Sequence, residues 1–159
     1  MNKIICFDID DCILPHYNML PKKHRLQIFK LNLERLVHLC QQTGAKLFMT
    51  SSWGMILKLD NGYLTFKDEF DYGDEFEQEV VEIMNSYLQP YIIGVSCGDR
   101  REDIKILLLQ ENTLIVAIDD MDLSDIERDN FKYIKVETMI TDRQLRYIKK
   151  NLNKIIIKD

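Results

Sequence analysis

The stretch Ile4-Ile5-Cys6-Phe7-Asp8-Ile9-Asp10-Asp11-Cys12 decides how this chain is read. An unbroken apolar run bounded by an acid predicts a short buried strand rather than one face of a helix. A strand that stops at Asp8 leaves that carboxylate at its carboxyl end, where the chain turns away. In open α/β sheets the reactive crevice lies outside the carboxyl ends of the strands. Asp8 is then presented to a ligand, and Asp10 curls back beside it. One such acid can be a nucleophile and the other a proton donor, and together they can hold a hard cation such as Mg²⁺. An isolated D-x-D can equally cap a strand end with no chemistry, so the rest of the chain has to decide.

Outward from this stretch, Pro15 and Pro21 make residues 16–22 a loop or flap. Leu26, Phe29, Leu33, Leu36, Val37 and Cys40 form a helical stripe over residues 23–42, and Gly44 is placed to end it. Residues 45–49 predict a second buried strand, running into Thr50-Ser51-Ser52-Trp53. Asp60-Asn61-Gly62 predicts a hairpin turn. Phe76, Val80, Ile83, Met84 and Tyr87 predict a helix over 74–88, which Pro90 stops. Further strands are expected at 91–96, 113–118 and 131–136, with a helix at 100–110. Thr141 and Gln144 have capping-box spacing for a helix through 152, and Ile155-Ile156-Ile157 can add a last strand. Strands alternating with helices predict a doubly wound α/β fold with a mainly parallel sheet flanked by helices. One domain over 1–159 is expected, with a modest insertion at about 55–75. The long helix fills most of the interval from Asp10 to Thr50, so no large cap domain fits there.

Composition narrows the function classes. Apolar residues make up 46% and charged residues 30%, which fits a soluble globular protein. No run approaches a membrane span and no signal-peptide pattern precedes Asp8, so a cytoplasmic protein without a targeting extension is expected. Cys6, Cys12, Cys40 and Cys97 are scattered without C-x-x-C, which favours reduced thiols over a disulfide framework or a zinc site. A net charge of −5 argues against a broad nucleic-acid footprint, although the basic 143–158 segment could contact a phosphate-bearing polymer. The acidic 68–82 segment reads as a solvated helix face.

Three predicted strands end in polar clusters: Asp8 and Asp10, then Thr50-Ser51-Ser52, then Asp119-Asp120. Parallel strands bring all three ends to one edge. This pattern resembles the haloacid dehalogenase superfamily of phosphohydrolases. The matching pieces are Asp8-Ile9-Asp10-Asp11, Leu47-Phe48-Met49 ending in Thr50, a basic helix start, and Ile115-Val116-Ala117-Ile118 before Asp119-Asp120. The Thr-Ser-Ser-Trp cluster and the short insertion look like small members acting on nucleotides or in nucleic-acid repair.

The resemblance implies that Asp8 attacks phosphorus to form an aspartyl-phosphate. Asp10 would protonate the leaving alkoxide and then activate water. Mg²⁺ would be held by Asp8, Asp10 through its backbone carbonyl, and Asp119, with Asp120 orienting Asp119 or a metal water. Thr50, Ser51 and neighbouring amides would hold phosphate oxygens. A carboxylate about 4 Å from a phosphate dianion is repelled by roughly 8 kcal/mol at an effective dielectric near 20, so cations are required. The basic group should sit in the first turns of the helix before the fourth strand. Arg100 and Lys105 are both candidates, with Arg101 adjacent. Cys12 and Asp11 depart from the commoner residues of the first motif, which bears on loop shape. Trp53 could stack on a base or pack the domain floor, and His16 could reach substrate from the flap.

The expected activity is therefore Mg²⁺-dependent phosphomonoester hydrolysis, on nucleotides, nucleic-acid 3′- or 5′-phosphate ends or another small phosphomonoester. A dehalogenase is disfavoured because halide leaves without needing the acid at Asp10. A non-catalytic binding or regulatory module on the same fold is the competing reading.

Overall fold

The computed structural model describes residues 1–15, 20–70, 73–96, 98–126 and 128–153. His16 of the expected flap and the expected strand at Ile155-Ile156-Ile157 lie outside them. In chain order the elements are β1 (Asn2–Phe7), α1 (Lys22–Thr43), β2 (Lys46–Met49), β3 (Leu57–Asp60), β4 (Tyr63–Phe66), α2 (Glu75–Leu88), β5 (Ile92–Val95), α3 (Arg100–Leu108), β6 (Thr113–Asp119), β7 (Phe131–Lys135) and α4 (Asp142–Leu152).

Five strands pair in the order β5-β2-β1-β6-β7, all parallel, while β3 and β4 form a separate antiparallel hairpin. From β1 the chain winds outward through β2 and β5, then returns to the other side of β1 for β6 and β7. The order reverses between β1 and β6, which makes their carboxyl ends the topological switch point of a Rossmann-like sheet.

Side chains alternate across the sheet. Ile5 and Phe7 of β1, with Leu114, Val116 and Ile118 of β6, join a large core with α1, α2 and α4. Ile4 and Cys6, with Ile115 and Ala117, join a smaller core with Ile104 and Leu108 of α3 and with Phe131. The same alternation assigns Asp8 and Asp119 to the side of α3.

Local chemistry accounts for the boundaries. Gly44 takes φ 76° and its N–H returns to the Cys40 carbonyl at 2.8 Å, ending α1 in a left-handed cap. Capping boxes Asp74/Glu77 and Thr141/Gln144 open α2 and α4. Asn61 and Gly62 both have positive φ, the backbone of a tight two-residue hairpin, and pair Asp60 with Tyr63. The expected insertion is thus a small hairpin lying between β2 and α2. Among the described residues no helix is long and apolar enough to cross a membrane.

Candidate active site at the β1–β6 switch point

Asp8 follows β1 directly and continues its pairing, its N–H donating to the Ile118 carbonyl at 3.0 Å. One carboxylate oxygen, Oδ1, accepts from the Ile9 N–H at 2.8 Å. Asp119, the last residue of β6, is wholly buried and accepts from the Met121 N–H at 2.9 Å. Between them stands Arg100, the first residue of α3. Its Nη1 donates to both Asp119 carboxylate oxygens at 2.8 Å and lies 3.4 Å from Asp8 Oδ2. Asp99 caps that helix through the Arg101 and Glu102 N–H groups.

Charge is crowded here. Burial, and after it the Asp119 carboxylate, push Asp8 up to about 7, against the pull of Arg100. Burial also raises Asp119, opposed by the Met121 N–H and by Arg100. Although burial works against the Arg100 cation, Asp119 and Asp8 hold it charged. Asp120 is exposed, and its carboxyl lies against both Asp8 and Asp119.

The loop after β1 turns sharply. Asp11 adopts φ 62°, and the N–H groups of Cys12, Ile13 and Leu14 all return to the Ile9 carbonyl. Asp10 opens that turn and meets a different partner from Asp8. Trp53 Nε1 donates to Asp10 Oδ2 at 3.2 Å. Partial enclosure of its carboxyl raises Asp10, while the Trp53 N–H and the nearby Arg25 pull the other way. The turn itself is tied down from several sides. Asn32 donates to the Ile13 carbonyl at 2.8 Å, Arg25 to the Pro15 carbonyl at 2.9 Å, and the Ile140 N–H to the Cys12 carbonyl at 3.0 Å.

Thr50 follows β2 directly, beside Asp8, its N–H donating to the Phe7 carbonyl at 2.9 Å. It is 1% exposed, yet its Oγ1 has no hydrogen-bond partner among the described residues. A buried hydroxyl left unpaired is costly and calls for an explanation. Ser51 Oγ accepts from the Trp53 N–H at 3.3 Å and opens a short 3-10 turn, Ser52–Met55. Gly54 lets this turn sit against the end of β5: a Cβ there would meet the Ser96 carbonyl oxygen at 1.8 Å.

Several expected residues fall elsewhere. Lys105 pairs with Glu102 at 3.5 Å and Arg101 donates to the Asp122 carbonyl at 2.6 Å, so Arg100 is the α3 cation at the acids. Trp53 is buried and turns its indole N–H to Asp10, so it presents no free face for a base. Side-chain donor atoms of Asp8, Cys12 and Asp120 lie within 4.8 Å of one another; the ligand expected from Asp10 is its backbone carbonyl. Asp119 is engaged by Arg100, and Asp10 by Trp53.

Sequence reasoning passed over Arg25 and read Cys12 only as a matter of loop shape. Arg25 was findable, because α1 begins at the same sheet edge as α3 and both starts carry an arginine. Compared with known proteins, the chain matches no family model, no curated protein and no solved structure.

Proposed function

We propose that this protein is a Mg²⁺-dependent phosphomonoester hydrolase of the haloacid dehalogenase type, working through an aspartyl-phosphate on Asp8. The observation that carries the reading is the grouping at the switch point: Asp8 and Asp119 bridged by Arg100, beside a buried Thr50 hydroxyl without a partner among the described residues. A phosphate oxygen is the acceptor that such a hydroxyl lacks.

Two of the three side chains grouped here offer the oxygen donors a hard divalent cation takes, and the third, Cys12, offers sulfur. Asp8 and Asp120 offer carboxylate oxygens in a cluster where acids outnumber the single guanidinium, and oxygen donors suit Mg²⁺. Those two residues would hold it, and when bound it would offset charge on the phosphate and keep Asp8 ionised.

The chain's own groups then divide the reaction. Asp8 attacks phosphorus, forming the aspartyl-phosphate and expelling the alkoxide. Asp10, whose carboxyl burial raises above its ordinary value, supplies a proton to the leaving oxygen. As a carboxylate it then removes a proton from water, which attacks phosphorus, releases inorganic phosphate and regenerates Asp8. Arg100 holds Asp8 and Asp119 in place and supplies positive charge next to the attacked phosphate. Thr50 Oγ1 donates to a phosphate oxygen. With only a small hairpin inserted after β2, the site suits nucleotides or phosphorylated nucleic-acid ends as readily as compact metabolites.

Release of inorganic phosphate tests this directly, using nucleotides, phosphorylated oligonucleotides, sugar phosphates and p-nitrophenyl phosphate, with Mg²⁺ or EDTA. Metal-dependent release that Asp8→Asn abolishes is the expected result. Mg²⁺ binding without turnover of any phosphoester would leave a binding module, and activity confined to sugar phosphates would remove the nucleic-acid substrates.

A further inference from the structure

Cys12 has a setting that loop shape does not explain. Its side chain is fully buried, and its thiol has no hydrogen-bond partner among the described residues. Yet Sγ lies within 4.8 Å of carboxylate oxygens of both Asp8 and Asp120. An apolar residue of similar size would fill the same space, so the sulfur is notable for what it faces. It stands on the acid side of the turn whose backbone is fixed by the Ile9 carbonyl and by Ile140.

Zinc-class cations bond oxygen at about 2.1 Å and sulfur at about 2.3 Å in a tetrahedron, which sets neighbouring donors about 3.5 Å apart; these three lie no farther than 4.8 Å from one another. Thiolate sulfur selects zinc-class cations, whereas Mg²⁺ takes oxygen. We infer that this cluster binds a thiophilic divalent cation of the zinc class, with Cys12 Sγ as a ligand beside the carboxylates of Asp8 and Asp120. One sulfur–metal bond forms, and the thiol proton passes to solvent, one for each cation bound. Asp120, exposed at the mouth, gives the cation an entry from solvent. The site shares its acids with the proposed phosphatase centre and rests on that reading only for one consequence, displacement of Mg²⁺ and loss of turnover.

The test is direct binding to the full chain, without substrate. Co²⁺ should produce a near-ultraviolet sulfur-to-metal band that Cys12→Ser removes. By competition with a chromophoric chelator, Zn²⁺ should bind at least about 100-fold more tightly than Mg²⁺. Cys12→Ser should weaken Zn²⁺ by about tenfold or more while changing Mg²⁺ less than about threefold, and Asp120→Asn should weaken both. No sulfur band, a band that survives Cys12→Ser, or equal losses for the two ions would overturn the inference. If Cys12→Ser does not fold, X-ray absorption of the zinc-loaded natural sequence decides: one sulfur neighbour supports the site and an all-oxygen shell removes it. Binding is read without turnover, so an absence of phosphatase activity and an absence of sulfur ligation are separate results.

Discussion

Asp8 and Asp10 stand two residues apart, yet they belong to two differently built halves of the site. Asp8 is buried on the α3 side of the sheet, beside a wholly buried Asp119 and under the Arg100 guanidinium. Asp10 is exposed at the start of the turn, where among the described residues its carboxylate accepts the neutral Trp53 N–H and feels the field of Arg25. The two arginines differ in the same way. Arg100 bridges two acids, while Arg25 donates to the Pro15 carbonyl and stacks 4.7 Å from the Phe76 ring centroid. A nucleophile needs fixed geometry and local positive charge; a proton carrier needs access to water and a proton affinity near working pH. On the proposed chemistry, the different surroundings of the two acids separate these requirements.

If Asp10 carries the proton as proposed, the most severe way to break this division is to replace it. Asp10→Asn should lower kcat by about 10³-fold, and phosphoenzyme should accumulate with an activated aryl phosphate whose leaving group needs no proton. Rapid-quench measurement of the covalent intermediate checks this, and an unchanged kcat would mean Asp10 carries no proton. Next comes the contrast between the arginines. Arg100→Ala strands the buried Asp119 carboxylate and should cost about 3 kcal/mol of unfolding free energy at neutral pH. Arg25→Ala, which loses mainly its stack on Phe76, should cost about 1 kcal/mol. Urea unfolding in EDTA measures both, and equal costs would erase the distinction between the halves.

The pH dependence sharpens the same comparison. Asp8 sits at about 7 in the fold, above the ordinary carboxyl value of 3.8, so the folded state binds its proton more tightly than the unfolded chain. Metal-free stability should therefore fall as pH rises between those values and level off above them. Asp119 and Asp10, also raised, act in the same direction. Thermal melts in EDTA should lose roughly 5 °C across that window, with the slope flattened by Asp8→Asn or by saturating Mg²⁺. The smallest effect belongs to Trp53→Phe, which keeps most of the packing but deletes the N–H to Asp10. Asp10 should then keep its proton to higher pH, moving the alkaline limb of kcat upward by less than about one pH unit. A shift to lower pH would mean that the bond does not favour the ionised form.

Much of this was readable along the chain, for definite reasons. The β1 run, the α1 stripe ending at Gly44, both capping boxes and the Asn61-Gly62 turn are local signals, set by side-chain periodicity and by φ values that few residues tolerate. The parallel sheet followed from strands alternating with helices, and it brought Asp8, Thr50 and Asp119 to one edge. The choice among Arg100, Arg101 and Lys105 was not local. Helical rotation alone leaves all three near the start of α3, and only the packing of α3 on the small face aims Arg100 at the acids.

The amino-acid sequence by itself therefore determined which residues end the strands, and so which acids and hydroxyls share the switch point. The tertiary structure alone decided how they pair: Asp119 with Arg100, Asp10 with Trp53, and Cys12 with Asp8 and Asp120. Those partners come from strands, turns and a helix far apart in the chain. Their contacts depend on a loop backbone bent by Asp11 and on the depth at which each helix packs, and neither quantity is encoded in residue spacing.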